Sequence, residues 1–364
     1  MQKKLSIGTV FSGIGAPEQA VLLEGFETKI SFACDNGERT LPYSFEEIMD
    51  LIKNKKVKKE NINEFIKQLY EVTKKENLVK KTYINNYKVN EDDWYEDVRF
   101  LDGKKYKGKI DLFVGGSPCQ SFSNMGKRMG LEDTRGTLFY EYARLVKEIQ
   151  PKVFIYENVP GMLTHDKGNT WTTIKSVFEQ LGYKTYYKIL NSSDYGIPQN
   201  RKRIFVIGFI DHKLDFKFPS PIELKKTVFD FLEPKVAPKY YLGEKGFKFV
   251  TCHNGRAKIN ETVMRTQKAN QQFNWNGNFI FEKLDKSKHD KDILKRAYIG
   301  TWEGSTGVAR QLTPRECLRL MGFPDTFIIP VLDVHAYRQS GNSIVVNVLR
   351  ELIKEIERCG AFNE

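Results

Sequence analysis

The apolar positions of this chain fall into short runs separated by glycine, proline and polar turns. Leu5–Phe11 is apolar and β-branched, Gly13 and Gly15 follow, and Pro17 opens a helical stretch over Glu18–Glu24. This reads as strand, glycine turn, helix, because proline suits the first helical turn, where its missing N–H would go unpaired anyway. Ile30–Cys34 predicts a second short strand ending at Asp35, and a third candidate strand ends at Asp97. Ile110–Val114, Val153–Tyr156 and Arg203–Phe209 predict further strands, while Phe139–Ile149 and Thr172–Leu181 carry helical spacing. Thr313 as N-cap and Pro314 at the first helical position predict a helix through Met321, and Ile344–Glu357 a closing one. Strands alternating with helices predict an α/β fold whose mostly parallel sheet carries helices on both faces.

Two stretches break the rhythm. Residues 38–96 hold lysine clusters (Lys53, Lys55, Lys56, Lys58 and Lys59, then Lys74, Lys75, Lys80 and Lys81), with Ile62, Phe65, Ile66 and Leu69 at helical spacing. They read as an inserted helical element with a basic face, placed there either to touch a polyanion or simply as solvated decoration. Residues 212–309 are rich in Lys, Asn, Gly and aromatics and show no clear alternation. They predict a second, smaller domain, set between a large domain over 1–211 and its return over 310–364.

Charge sharpens this division. The 364 residues carry 58 Lys and Arg against 46 Asp and Glu, a net +12. Residues 212–309 alone hold 18 basic against 11 acidic side chains, so over half of the excess sits in about a quarter of the chain. A polyanionic partner follows as the first expectation. No run approaches the roughly 20 apolar residues of a membrane-spanning helix, and the N-terminal residues show no signal-peptide core, so a membrane or secreted protein is not the expectation. The five cysteines (Cys34, Cys119, Cys252, Cys317 and Cys359) are odd in number and form no CxxC pair. This argues against a disulfide framework or zinc site and for a reducing compartment; no metal is expected.

Four constellations carry chemistry. Phe11-Ser-Gly-Ile-Gly15 lies between strand and helix, where glycines let backbone approach a ligand, and Asp35 follows at the distance of a ribose-binding acid. The pattern is not GxGxxG, which favours a nucleoside ligand without a pyrophosphate. Gly115-Gly-Ser-Pro-Cys-Gln-Ser-Phe122 places Cys119 in a turn directly after a buried strand, at the sheet edge where such folds bind ligands. The other cysteines lack this setting. Tyr156-Glu-Asn-Val159 puts a carboxylate at a strand end, where desolvation would raise its pKa and let it donate to a ring nitrogen. In Gln199-Asn-Arg-Lys-Arg203, Arg201 and Arg203 are two apart in extended chain and so expected to face one side, suited to a base oxygen or a phosphate.

In this order, these blocks resemble the cytosine-5 DNA methyltransferases. FSGIG resembles that family's cofactor loop, SPCQSFS at Ser117–Ser123 its catalytic Pro-Cys turn, and ENV and QNRKR its next two signature blocks. RQLTPRECLRLMGFPD at Arg310–Asp325 and YRQSGNSIVVNVL at Tyr337–Leu349 resemble its late and closing blocks. The resemblance spans Phe11 to Leu349. It implies a Rossmann-like, S-adenosylmethionine-dependent methyltransferase sheet with a smaller target-recognition domain at 212–309, and S-adenosylhomocysteine as product. It also implies cofactor contacts from Phe11, Gly13, Gly15, Asp35, Asn36, Asp97, Val98, Pro118 and Asn342. Asp35 stands where the family usually has a glutamate, and Asn36 where some members have an aromatic beside the adenine.

By the same resemblance, Cys119 adds to carbon 6 of a flipped cytosine, Glu157 holds N3 and the amino group, Arg203 binds the base carbonyl, and Arg201 helps to order the site. DNA contacts are expected from Gln120, Ser123, Arg135, Arg256, Arg265 and Gln271, with Gln267, Asn270 and Trp275 as further candidates. The implied protein is a monomeric bacterial enzyme in the cytoplasm, on the nucleoid. It would modify double-stranded DNA beside a separately acting restriction endonuclease. An RNA branch of the family usually carries Cys-Phe-Thr before the late block; Thr251-Cys-His-Asn254 stands here instead, which favours DNA over a transfer RNA substrate. A DNA-binding protein with a retired catalytic domain is a third reading, opposed by the intact Cys119, Glu157 and Arg203 set.

Overall fold

The computed structural model describes residues 4–117, 138–252, 257–270, 275, 277–285 and 287–363. They divide into two compact units: residues 1–190, 202–220 and 349–364 in the first, 191–201 and 221–348 in the second.

The first unit is built on seven strands: β1 (Lys4–Val10), β2 (Glu27–Cys34), β3 (Trp94–Tyr95), β4 (Leu112–Gly115), β5 (Val153–Asn158), β6 (Lys184–Asn191) and, after the two-residue β7 of the second unit (Gln199–Asn200), β8 (Lys202–Phe209). Their order across the sheet is β3-β2-β1-β4-β5-β8-β6. β1 to β5 pair in parallel, and β8 runs antiparallel to β5. The chain moves outward one way through β1, β2 and β3, then returns to start again at β4 beside β1. Ligands in open α/β sheets bind at the carboxyl ends of strands where the order reverses in this way.

Helices α1 (Ala16–Leu23), α5 (Leu138–Ile149) and α6 (Asn169–Gln180) accompany the sheet, as the periodicity predicts. α5 buries Phe139, Tyr142, Leu145, Val146 and Ile149 in a core shared with Phe113, Phe154, Tyr156 and Phe178. Tyr142 stacks on Phe113 at 4.9 Å between centroids, and its hydroxyl donates to the Ile155 carbonyl at 3.0 Å. A buried tyrosine thereby keeps its polar tip paired. Strand β6 was not foreseen; it is an edge strand with three consecutive exposed residues, so its burial gives no clean period of two.

Residues 38–96 contain α2 (Phe45–Asn54), α3 (Ile62–Glu71) and α4 (Leu78–Asn86). Ser44 and Glu47 form a reciprocal capping box at the start of α2. Ile48, Ile66, Leu69 and Tyr70 give this element its own small core. Several of its lysines face carboxylates: Lys59 reaches Asp102 at 2.6 Å, Lys67 and Lys80 reach Glu91 at 3.3 and 2.5 Å, and Lys81 reaches Glu76 at 3.1 Å.

The second unit holds a four-stranded sheet, β12-β13-β11-β9, from β9 (Lys258–Ile259), β11 (Asn278–Lys283), β12 (Gly300–Trp302) and β13 (Ser305–Gln311). β10 (Met264–Arg265) pairs with β7. The helices are α7 (Glu244–Cys252), α8 (Lys291–Arg296), α9 (Pro314–Arg319) and α10 (Asp333–Asn342); α11 (Val346–Arg358) closes the chain. Thr313 caps α9 as expected, accepting from Glu316 N at 3.1 Å while Glu316 accepts from Thr313 N at 2.8 Å.

The unit boundaries differ from those expected at 211/212 and 309/310. Leu312, Cys317, Leu320 and Tyr337 share a core with Val228, Met264 and Ile280, which draws α9 and α10 into the second unit. Gln199 does the same for residues 191–201: its side chain donates to the Leu320 carbonyl at 2.8 Å and accepts from Gln267 N at 2.9 Å. A charged cluster also locks this unit: Arg310 and Glu316, each at 1% exposure or less, are bonded at 2.9 Å, and the partly buried Glu282 meets Arg310 at 2.6 Å.

Candidate active site

Three loops at the carboxyl ends of β1, β2 and β3 lie together in the first unit. The first is Phe11–Gly15. Phe11 has φ 53°, a left-handed conformation that costs a residue with a Cβ roughly 1–2 kcal/mol. Ser12 holds the loop to the end of β2, donating from N to the Cys34 carbonyl at 3.1 Å and accepting from Cys34 N at 3.0 Å. The second loop carries Asp35, half-buried, whose oxygens accept from Gly13 N at 2.9 Å and Gly37 N at 2.8 Å. Burial nevertheless raises its carboxyl above the usual range, with the two backbone donors opposing. Asn36 closes a local turn, accepting from Glu38 N at 3.0 Å and donating to the Arg39 carbonyl at 3.0 Å.

The third loop carries Asp97 and the buried Val98. Asp97, an expected cofactor contact, is heavily engaged within the protein. Arg99 contacts both its oxygens, at 2.9 and 2.6 Å, and Tyr70 OH lies 3.3 Å from Oδ2.

At the neighbouring strand ends, β5 and β8 build an ion pair. Their register sets Asn158 opposite Ile204, so Arg203 falls just beyond the end of β5, beside Glu157. Arg203 Nε stands 2.9 Å from Glu157 Oε1, with both side chains less than a fifth exposed. Arg203 Nη1 donates to its neighbour's carbonyl, on Lys202, at 2.8 Å. Asn158 donates to the Ser117 carbonyl at 3.0 Å, and Ser117 shares a 2.7 Å hydrogen bond with Tyr156 OH. The turn after β4 therefore packs directly against Glu157. A Cβ on Gly116 would sit 2.6 Å from the Glu157 carbonyl oxygen and 3.0 Å from Oε2, so this position needs glycine. Asn158 and Ser12 were not singled out from sequence; both act through backbone contacts that leave no periodic signal.

Pro118, Cys119, Gln120, Ser123, Arg135, Arg256 and Gln271 lie outside the described residues. Of the other cysteines, Cys34 and Cys317 are buried, and burial pushes both thiols well above their usual range. Their burial suits a structural role, whereas Cys252 is exposed and Cys359 partly buried.

The second unit holds the remaining expected residues. Arg201 is 4% exposed, and its guanidinium donates to the carbonyls of Gln267, Gly341 and Ser343 at 3.0, 3.1 and 2.7 Å. The expected common face of Arg201 and Arg203 is replaced by this arrangement. A tight turn in which Arg201 N donates to the Gln199 carbonyl interrupts the extended run. Asn342 is exposed at the end of α10, and Arg265 is exposed on β10. Of the further candidates, Gln267 is buried and Trp275 partly exposed. Gln267 is 2% exposed and donates to Ser340 Oγ at 2.6 Å, and Trp275 packs on Phe249 at 5.1 Å.

The profile of the C-5 cytosine-specific DNA methylase family matches residues 43–358. The chain belongs to this family. Among curated relatives of the methylase, the type II methyltransferase M1.ScrFI of Lactococcus lactis subsp. cremoris is 36% identical over 283 residues, 76% of this chain and 70% of the relative. M.SsoII of Shigella sonnei is 38% identical over 286 residues, covering 77% and 71%, and M.HhaI of Haemophilus parahaemolyticus is 37% identical over 255, covering 68% and 75%. The methylase also shares its fold with the solved DNMT2 of Spodoptera frugiperda, at TM-score 0.67 and 18% identity over 97% of this chain and 99% of the other. Family and fold imply S-adenosylmethionine as methyl donor. The first-unit residues fit its nucleoside end: a half-buried carboxylate at a strand end, beside a glycine loop where a Cβ on Gly13 would meet nothing within 4 Å. Among the described residues, no group of three or more His, Cys, Asp or Glu is placed to hold a metal, and no helix is long and apolar enough to cross a membrane.

Proposed function

We propose that this methylase transfers a methyl group to carbon 5 of a cytosine flipped out of a specific double-stranded DNA sequence, through a Cys119 adduct at carbon 6. The observation that chiefly supports this reading is the Glu157–Arg203 pair packed against the glycine turn that leads into Cys119. Carbon 5 of cytosine is a weak nucleophile. A bond from the Cys119 sulfur to carbon 6 moves the ring electrons onto carbon 5, which then takes the methyl group. Loss of the carbon 5 proton and cleavage of the sulfur–carbon bond restore the ring. Glu157 holds N3 and the amino group and steadies the charge that develops as the thiolate adds. Arg203 fixes that carboxylate and offers a further donor to the base carbonyl, since the contacts above use two of its five N–H groups. The target carbon is inaccessible within the duplex stack, which requires flipping. S-adenosylmethionine supplies an electrophilic methyl group when bound, and Asp35, Phe11, Gly13, Gly15, Asn36, Asp97, Val98, Pro118 and Asn342 are assigned to hold it.

Sequence reading is assigned to residues 212–309. Gln120, Ser123, Arg135, Arg256, Arg265 and Gln271 are the proposed DNA contacts, most of them to phosphate. The curated relatives are type II methyltransferases, which supports a bacterial DNA-modification role; a monomer, cytoplasmic and nucleoid-associated, working beside a separate endonuclease, completes the proposal. Incubation with a duplex carrying 5-fluorocytosine tests the reading, because fluorine at carbon 5 blocks the final elimination. A stable Cys119-dependent protein–DNA adduct is expected. An adduct on RNA alone would replace DNA as the substrate, and no adduct on either would refute the mechanism.

The raised carboxyl of Asp35 gives a pH prediction. A raised acid pKa means the proton is taken up at higher pH than by a surface carboxylate. The acceptor for ribose hydroxyls is thus lost early on acidification. Calorimetric titration with S-adenosylhomocysteine should show affinity falling on acidification at a higher pH than loss of an ordinary surface carboxylate would give, and Asp35→Asn should bind more weakly at neutral pH with a flatter profile. Equal profiles in the two proteins would remove Asp35 from the site.

A further inference from the structure

Residues 38–96 read as basic helical decoration, yet several of their side chains point inward onto the three loops described above. Behind the first loop, Tyr83 OH donates to Glu18 Oε1 at 2.8 Å. There the Tyr87 ring fills the space a Cβ on Gly15 would need, 2.1 Å from the built position, so loop and ring fit only with glycine at φ 81°. Behind the second, Asn77 donates from Nδ2 to the Asp35 carbonyl at 2.8 Å. Behind the third, Tyr70 OH contacts Asp97.

Asn77 does more than touch one loop. Its Nδ2 also donates to Glu96 Oε2 at 2.7 Å, and its Oδ1 caps α4 by accepting from Lys80 N at 2.9 Å. Glu96 is 5% exposed and also receives the Arg39 guanidinium and the Trp94 indole N–H. A carboxylate this buried depends on its donors. β3 has only two residues, paired to β2 through Ala33 and Cys34. Such a short strand gives little hold on Asp97, the residue after Glu96. The Asn77 amide therefore bridges the Asp35 backbone and the residue preceding Asp97, setting the spacing of the two acids.

We infer that the 38–96 insertion is a positioning element of the donor-binding rim, with Asn77 as its principal contact. This rests on the assignment of that rim to S-adenosylmethionine given above. The nucleoside would be held by groups whose separation the insertion sets, so loosening it costs donor affinity before it costs chemistry.

The test is calorimetric binding of S-adenosylhomocysteine to the full chain, with steady-state kinetics alongside. Asn77→Ala should weaken binding and raise the KM for S-adenosylmethionine by about tenfold, the loss of a buried hydrogen bond, while kcat and the KM for DNA stay within about twofold. Tyr70→Phe, which removes one hydroxyl from the same rim, should weaken binding by roughly threefold, and it decides the matter if Asn77→Ala fails to fold. Unchanged affinity in the folded variants would overturn the inference. So would a lower Tm and active fraction with Kd unmoved, the pattern of a plain scaffold. Wild-type chain that binds no S-adenosylhomocysteine would instead overturn the donor-site assignment itself.

Discussion

Replacing Cys119 with alanine should abolish methyl transfer, with kcat lowered by roughly four orders of magnitude or more, the scale seen when a covalent nucleophile is removed. Binding of S-adenosylhomocysteine and of duplex DNA should survive, because neither assignment uses the thiol. Tritium transfer from labelled donor measures the first, and calorimetry and gel shift the other two. The expectation follows from the weakness of carbon 5 as a nucleophile. Without a sulfur bond at carbon 6 there is no route to an enamine-like carbon 5, and the remaining site offers only alignment. The buried thiols of Cys34 and Cys317, raised well above their usual range, make them poor substitutes. Residual activity within tenfold of wild type would end the Cys119 assignment.

The second large effect concerns the Glu157–Arg203 pair. Glu157→Gln and Arg203→Ala should each lower kcat/KM by about 10²- to 10⁴-fold, the range for removing a group that stabilises developing charge. The double variant should fall well short of the product of the two losses. The side chains are in direct contact at 2.9 Å, and groups that act as one unit are not additive. Arg203→Ala also leaves a poorly solvated carboxylate without its cation, so stability should drop by roughly 1–3 kcal/mol. Glu157→Gln, nearly isosteric, should lose less. Fully multiplicative losses would mean that the two residues act separately.

Much of this site was legible in the sequence because strand–turn–helix punctuation is local. The run into Gly13 and Gly15, Asp35 at a strand end and Glu157 at another are all visible as apolar stretches broken by small or charged residues. Pairing was not legible. That Arg203 meets Glu157 depends on an antiparallel register between β5 and β8, whereas Arg201, two residues earlier, is taken up by three backbone carbonyls of the second unit. Periodicity likewise could not show that Gln267 is buried, since polar side chains in an irregular stretch give no burial pattern. The 38–96 element shows the same limit most clearly. Its lysines dominate the sequence, but Tyr70, Asn77, Tyr83 and Tyr87 make the contacts that reach the loops, and they are scattered among the charges.

Cytosine-5 methylation of DNA at a defined sequence can be read out by expressing the chain in a host without DNA methylation and bisulfite-sequencing a resident plasmid. Cytosines should be protected from conversion at one recurring sequence context, and the protection should vanish when Cys119→Ala is expressed. Complete conversion of every cytosine in the presence of folded wild-type protein, or protection that persists with Cys119→Ala, would contradict this reading.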